Sequence, residues 1–251
     1  MVVARYQEGL EWLLDVPPSI EIVVVNKGDR IRDERIEGRV AEILPRSNAG
    51  READSYLAFV AAGGMVGADQ VVFTQGDPFT HSPDFLNLLE HADLWQPIQP
   101  LSVCWQVDRD IPPRLLLSRA NLPSIKGNYF RTEVFSLTTL APVSFWDPGV
   151  ETIYREYLRV HGLDAGEAVV PHFLKTCGLE KLSATAEHGV LGEFCYGGIF
   201  GIQPGSAARL SQHDVETLLT FSREHGIHAY VFERVWLHLF GYPFVAGVAI
   251  T

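Results

Sequence analysis

Cysteine is scarce in this chain. Only Cys104, Cys177 and Cys195 occur among 251 residues, and no two share a C-x-x-C spacing. That argues against a disulfide framework or a zinc ribbon, and the three read as reduced thiols of a cytoplasmic protein. Positive charge is short as well: 20 Lys and Arg stand against 31 Asp and Glu, a net charge of -11. Non-specific binding to nucleic acid or to anionic membranes is therefore not expected, and an anionic small ligand would need cations gathered locally. No apolar run is long enough to span a bilayer, no signal peptide precedes Val2-Val3-Ala4-Arg5, and no internal repeat or low-complexity tract is present. A G-x-S-x-G elbow, a Walker A loop and a G-x-G-x-x-G turn are all missing, and no histidines stand at H-E-x-x-H spacing.

What is present suits one large α/β domain, with length and composition able to bury a sizeable core. The stretch from Val71 to Pro83 organises it. Val71-Val72-Phe73-Thr74 has strand character and runs into a polar turn that carries Gln75, Asp77 and His81. In an open α/β sheet ligands bind at that end of a strand. Asp77-Pro78 reads as a sharp corner, because the residue before proline is pushed out of the helical region. The plainer reading is a polar turn in which Ser82 caps a helix with Pro83 at its first position.

Two more strands point the same way. Val2 to Tyr6 is a short buried strand, followed by a helical spacing of Leu10, Leu13 and Leu14 over Gln7 to Leu14. Ile20 to Val25 is a continuous apolar run typical of a central parallel strand, ending in Asn26-Lys27-Gly28. Residues 29 to 39 read as an exposed charged loop, and Ile43-Leu44-Pro45 as a short extended piece. Asn48 is placed to cap a helix in which Glu52 and Asp54 sit near the positive end and Ala53, Tyr56, Leu57 and Val60 form an apolar stripe. Arg5-Tyr6, Asn26-Lys27 and Gln75-Asp77 are thus delivered to one sheet edge, with Asn48 and Arg51 opening a helix beside it. Residues 83 to 94 read as a helix. The text from Gln96 to Pro148 is proline-broken. Helices are expected over 150 to 160, 167 to 177, from Ser211 through Arg223, and over 228 to 240, with a strand from Gly192 to Gln203.

Two carboxylate features remain open. Asp108-Arg109-Asp110 has the D-x-D spacing by which two acids reach one divalent ion, or is a solvated turn. Glu233 lies in an apolar row of the last helix. Such an acid is either paired, Arg234 being adjacent, or raised in pKa and available as a general base.

The order of these parts resembles the GT-A class of nucleotide-sugar glycosyltransferases. More closely, the chain is similar to a family of unassigned chemistry with the motifs Val3-Ala4-Arg5-Tyr6, Asn26-Lys27-Gly28, Asn48-x-Gly50-Arg51-Glu52-x-x-x-Tyr56-Leu57, Phe73-x-Gln75-Gly76-x-Pro78 and Glu233-Arg234-x-Trp236. The likeness covers residues 2 to 83 and 193 to 241. It implies a GT-A-like, mostly parallel Rossmann-type sheet in a single domain, residues 1 to 95 holding a nucleotide and 96 to 251 facing an acceptor. It implies transfer of a sugar from a nucleoside diphosphate sugar to a small-molecule or glycan acceptor. Glu233 would act as base, and Asp77 would hold a sugar hydroxyl or a Mn2+ or Mg2+ ion. Arg5, Tyr6, Lys27, Asn48, Arg51, Gln75 and His81 would line the donor. Gln75 stands where that class carries its first aspartate, so metal independence is equally open, with Lys27, Arg5 or Arg51 balancing the diphosphate. The alternatives are a binder of carbohydrate or nucleotide without catalysis, and a hydrolase using Asp77 and Glu233 as paired carboxylates.

Overall fold

The computed structural model describes residues 1–102, 133–207 and 210–246. A six-stranded sheet forms its centre. Strands β1 (Val2–Arg5), β2 (Val23–Asn26), β3 (Glu42–Pro45) and β4 (Val71–Gln75) pair in parallel in the order β3-β2-β1-β4. Beyond β4 the order continues with β8 (Phe200–Ile202) and β5 (Ile98–Pro100), and β8 runs antiparallel to both neighbours. The three apolar runs that suggested central strands are therefore adjacent and parallel.

Alternation along each strand explains why those runs are apolar throughout. Val2, Val23, Val25 and Phe73 face one core, and Val3, Val24 and Val72 face another on the opposite side of the sheet. The first core is covered by α2 (Arg51–Ala61), α5 (Val169–Thr176), α8 (Gln212–Glu224) and α9 (His228–Leu239). Its centre is aromatic: Tyr56, Phe73, Phe200, Trp236 and Phe240 pack ring against ring. The second core is covered by α1 (Glu34–Arg39), α3 (Phe85–Leu89) and a 3-10 turn at Glu11–Asp15.

The remaining described helices are α4 (Pro148–His161), α6 (Glu180–Glu187) and α7 (Pro204–Ala207). A smaller antiparallel sheet, β6 (Glu133–Ser136), β7 (Gly189–Phe194) and β9 (Val245–Ala246), packs against α9.

Several expectations need correction. The helix over Gln7 to Leu14 is a 3-10 turn in which Leu10 and Leu13 are buried and Leu14 is exposed. Residues 29 to 39 are not all loop, because Asp33 caps α1 and Ile31 and Ile36 enter the core. Ser82 does not cap a helix; α3 starts at Phe85 and ends at Leu89. The strand expected from Gly192 to Gln203 breaks at Gly197-Gly198, which have φ of 66° and 59°. That left-handed pair, open to glycine without strain, turns the chain from the small sheet (β7) into the large one (β8). The Asp108-Arg109-Asp110 motif and Cys104 lie outside the described residues.

Buried histidines hold the α9 end of the fold. His238 Nδ1 lies 2.9 Å from the Tyr242 carbonyl and Nε2 accepts the Glu193 N–H at 3.1 Å, which makes the ring neutral with its proton on Nδ1. His228 Nδ1 reaches the Phe221 carbonyl at 2.7 Å, and its Nε2 meets His161 Nε2 at 3.0 Å. Burial lowers both His228 and His238 to about 4. Burial also lowers His81, His161 and His172. The unfolded chain protonates these groups near 6.5 while the native state does not, so native stability is complete above that pH and falls as pH drops toward 4. One carboxylate, Glu52, is raised to about 7 and opposes them over the same window, while the Met1 amine, lowered by burial to about 6, acts with the histidines. The urea midpoint should therefore fall between pH 7 and pH 5, and a flat or rising midpoint would show that these rings are not neutral in the native state.

Candidate active site

The chain runs outward from β1 to β2 and β3, then crosses back to β4 on the other side of β1. That reversal opens a crevice at the carboxyl ends of β1 and β4, the place where open α/β sheets take ligands. A cavity of about 500 Å³ fills it. Arg5 and Tyr6 enter it from the end of β1, Lys27 from the end of β2, and Gln75, Asp77 and His81 from the end of β4 and the turn after it. Asn48 and Arg51 enter from the start of α2. All eight binding and turn residues expected from the sequence thus meet at one cavity. Glu8, Glu52, Ser55 and Thr80 line it as well and were not expected to. Acids in the first turn of a helix are common for dipole reasons alone, so neither charge nor periodicity marks Glu52 as facing a cavity.

A backbone contact joins the exits of β1 and β2 beside the cavity. Gly28 is required there, because a Cβ at that position would lie 1.4 Å from the Tyr6 carbonyl oxygen. Arg5 is held in place: Nη1 donates to Asn26 Oδ1 and to the Asp29 carbonyl, each at 2.7 Å, and Nε donates to the Glu8 carbonyl at 3.0 Å. The turn after β4 is fixed by Asp77 Oδ1, which accepts the Phe79 N–H at 3.0 Å. Gln75 and His81 both pack against the Gly197 corner, and His81 stacks on Tyr196 at 5.8 Å.

The start of α2 departs from expectation. Asn48 lines the cavity but does not cap the helix; Gly50 occupies the N-cap position at φ 61° with no side-chain cap bond. Arg51 follows at φ 47°, a left-handed conformation unusual for a residue with a side chain. Strain of this kind persists where surrounding contacts hold it, and it clusters at functional sites. The Arg51 guanidinium sits 4.5 Å over the Tyr230 ring.

Lys27 is the second correction. Its Nζ donates to the Ala49 and Arg51 carbonyls and pairs with Asp54 at 3.1 Å. An ammonium has three donors, and all three are occupied, so Lys27 braces the start of α2 and is not free to neutralise a diphosphate. Burial lowers its pKa while Asp54 works against that shift. Asp54 is itself fully buried and also receives Arg46 through two bonds of 2.9 and 3.0 Å, and Arg223.

Glu233 stands apart from the cavity wall. Its Oε1 is held by Arg234 Nη1 at 2.5 Å, and Arg234 lies 3.7 Å over the Phe194 ring and donates to the Leu140 carbonyl. The ion-pair alternative for Glu233 is thus realised, and Glu233 is not among the residues that line the cavity with Asp77. The charge of Glu233 still reaches the cavity, since it acts on Glu52 and on His81. As for a divalent ion, Asp77 offers one carboxylate already bonded to backbone, and among the described residues no three His, Cys, Asp or Glu side chains gather as a metal site.

No protein-family model, no curated protein and no solved structure matches this chain.

Asp54 provides the test of how the site is built. Replacing it by Asn leaves Lys27 buried beside two arginines without a counter-charge. Breaking one side of a buried pair typically costs about 3 to 5 kcal/mol, and Asp54→Asn should lower unfolding free energy in urea by about that amount. A loss of under about 1 kcal/mol, the range of an exposed pair, would show that the three cations are held by other contacts.

Proposed function

We propose that this protein transfers a sugar from a nucleoside diphosphate sugar to a hydroxyl acceptor. The observation that carries this is the meeting of Arg5, Arg51, Gln75, Asp77 and His81 at a single cavity on the switch point of the sheet. Its volume of about 500 Å³ falls within the range of small-molecule sites. Against a net charge of -11, two arginines and the start of α2 meeting at the cavity form a local anion site. Tyr6, 44 % exposed at the rim, offers a ring face for a nucleobase. Asp77 and Gln75, from the end of β4 and the turn after it, bring the carboxylate and amide groups that bind sugar hydroxyls. The resemblance to GT-A glycosyltransferases supplies the reaction class, and that part is analogy from a few motifs.

A second reading has its own support. A single carboxylate at Asp77, with Gln75 beside it, is also what a nucleotide or carbohydrate binder without turnover would keep. Consumption of the donor separates the two readings.

Arg51 tests the donor site itself. A charged hydrogen bond is worth about 1.5 to 3 kcal/mol, so Arg51→Ala should weaken UDP or GDP binding by roughly ten- to hundredfold while the protein stays folded. Calorimetry without added metal measures this. Equal affinity in the variant would mean that Arg51 only covers Tyr230.

A further inference from the structure

Three carboxylates line the cavity, and two of them are occupied. Glu8 Oε2 accepts the Tyr6 N–H at 2.6 Å, and Asp77 Oδ1 accepts that of Phe79 at 3.0 Å. Glu52 differs. Apart from its own backbone N–H, its carboxylate has no hydrogen-bond or ion-pair partner among the described residues. One turn further along α2, Ser55 is fully buried and its Oγ has no partner, and the Nδ1 of His81 has none either. Both side chains line the same cavity. Buried polar atoms in native proteins are nearly always bonded. A hydroxyl, which both donates and accepts, matches what Glu52, Ser55 and His81 together leave open.

We infer that Glu52 is the general base of this site, and that Ser55 and His81 receive the acceptor hydroxyl beside it. The inference rests on the transfer reading given above. The acceptor O–H gives its proton to the Glu52 carboxylate as its oxygen bonds to the anomeric carbon. The bond from that carbon to the phosphate oxygen breaks, and the nucleoside diphosphate leaves with the electron pair toward Arg5 and Arg51. Direct displacement inverts the sugar carbon.

The charges around Glu52 suit that role. Burial comes first and the charge of Glu233 on α9 second in raising it to about 7, while Arg51 and Lys27 pull it down. Tyr56 faces it from the same helix. Arg5, Glu8, Asp77 and His81 line the cavity with it. A base that titrates near neutrality combines the right protonation state with driving force for transfer. Glu233 then acts through Glu52 as a positioning charge.

Two readouts on the full chain test this. The first is a carbon-13 NMR titration of the glutamate carboxyls without any ligand. The second is consumption of UDP-glucose, UDP-N-acetylglucosamine and GDP-mannose, with mixed monosaccharides as acceptors, across the neutral pH range. The wild type should show one glutamate titrating at about 7, absent in Glu52→Gln. The paired change Glu233→Gln with Arg234→Met removes both charges together, so neither is left uncompensated, and it should move that titration to lower pH. Donor consumption should rise with pH through the same value and fall about 100- to 10,000-fold in Glu52→Gln, with UDP affinity retained. Glu52 titrating near its ordinary value of about 4.3, or Glu52→Gln keeping the wild-type rate, would overturn the assignment. If Glu52 titrates as expected but the wild type binds UDP and consumes no donor, the transfer reading fails, and the proton role fails with it.

Discussion

The Asp54 carboxylate is the contact on which the site depends. It is buried completely, and three cations from three different segments converge on it: Lys27 from the end of β2, Arg46 just past β3, and Arg223 from the last turn of α8. A lone buried carboxylate would be very costly. Here the protein supplies the solvation that water would have given, and in doing so it ties the outer strands to both helices that cover them. Lys27 carries the effect further, since it also binds the carbonyls of Ala49 and Arg51. Those bonds hold the left-handed pair Gly50-Arg51, and that pair aims the start of α2 into the cavity. Three positive charges around one negative leave the neighbourhood net positive, within a chain that is strongly acidic overall.

The central sheet was legible because a strand buried on both faces must be apolar at every position. Val2 to Ala4, Ile22 to Val25 and Val71 to Phe73 satisfy that rule, and local pattern and global packing agree. Legibility failed where tertiary contacts overrode local signals. Ile31 and Ile36 sit among charged residues, so α1 and the residues before it looked like loop, yet both isoleucines pack under the sheet. The apolar run across Gly197-Gly198 reads as one strand by composition. Only the backbone shows two strands of different sheets joined at a left-handed corner.

The site divides along the same line. Residues at strand ends were identifiable, since a parallel sheet delivers its carboxyl ends to one edge regardless of detail. What each side chain does there was not identifiable. Lys27 looked like a phosphate ligand and is a brace, because its partner Asp54 lies on a helix 27 residues further along the sequence. Glu233 read as either a paired acid or a base, and it is paired with Arg234, its neighbour in sequence, while its charge still acts on Glu52 and His81. Glu52 looked like an ordinary first-turn acid, and only the burial and the charge around it distinguish it.

The contact between Gly28 and the Tyr6 carbonyl has an evolutionary consequence. Where the exits of β1 and β2 meet beside the cavity, main chain lies against main chain. A side chain at residue 28 has no room, so that junction has no alphabet to vary. Drift in ligand preference among descendants of this chain is therefore left to the side chains that line the cavity, at positions such as Asn48, Thr80 and His81. The junction would persist as an inherited constant while the lining diversified around it.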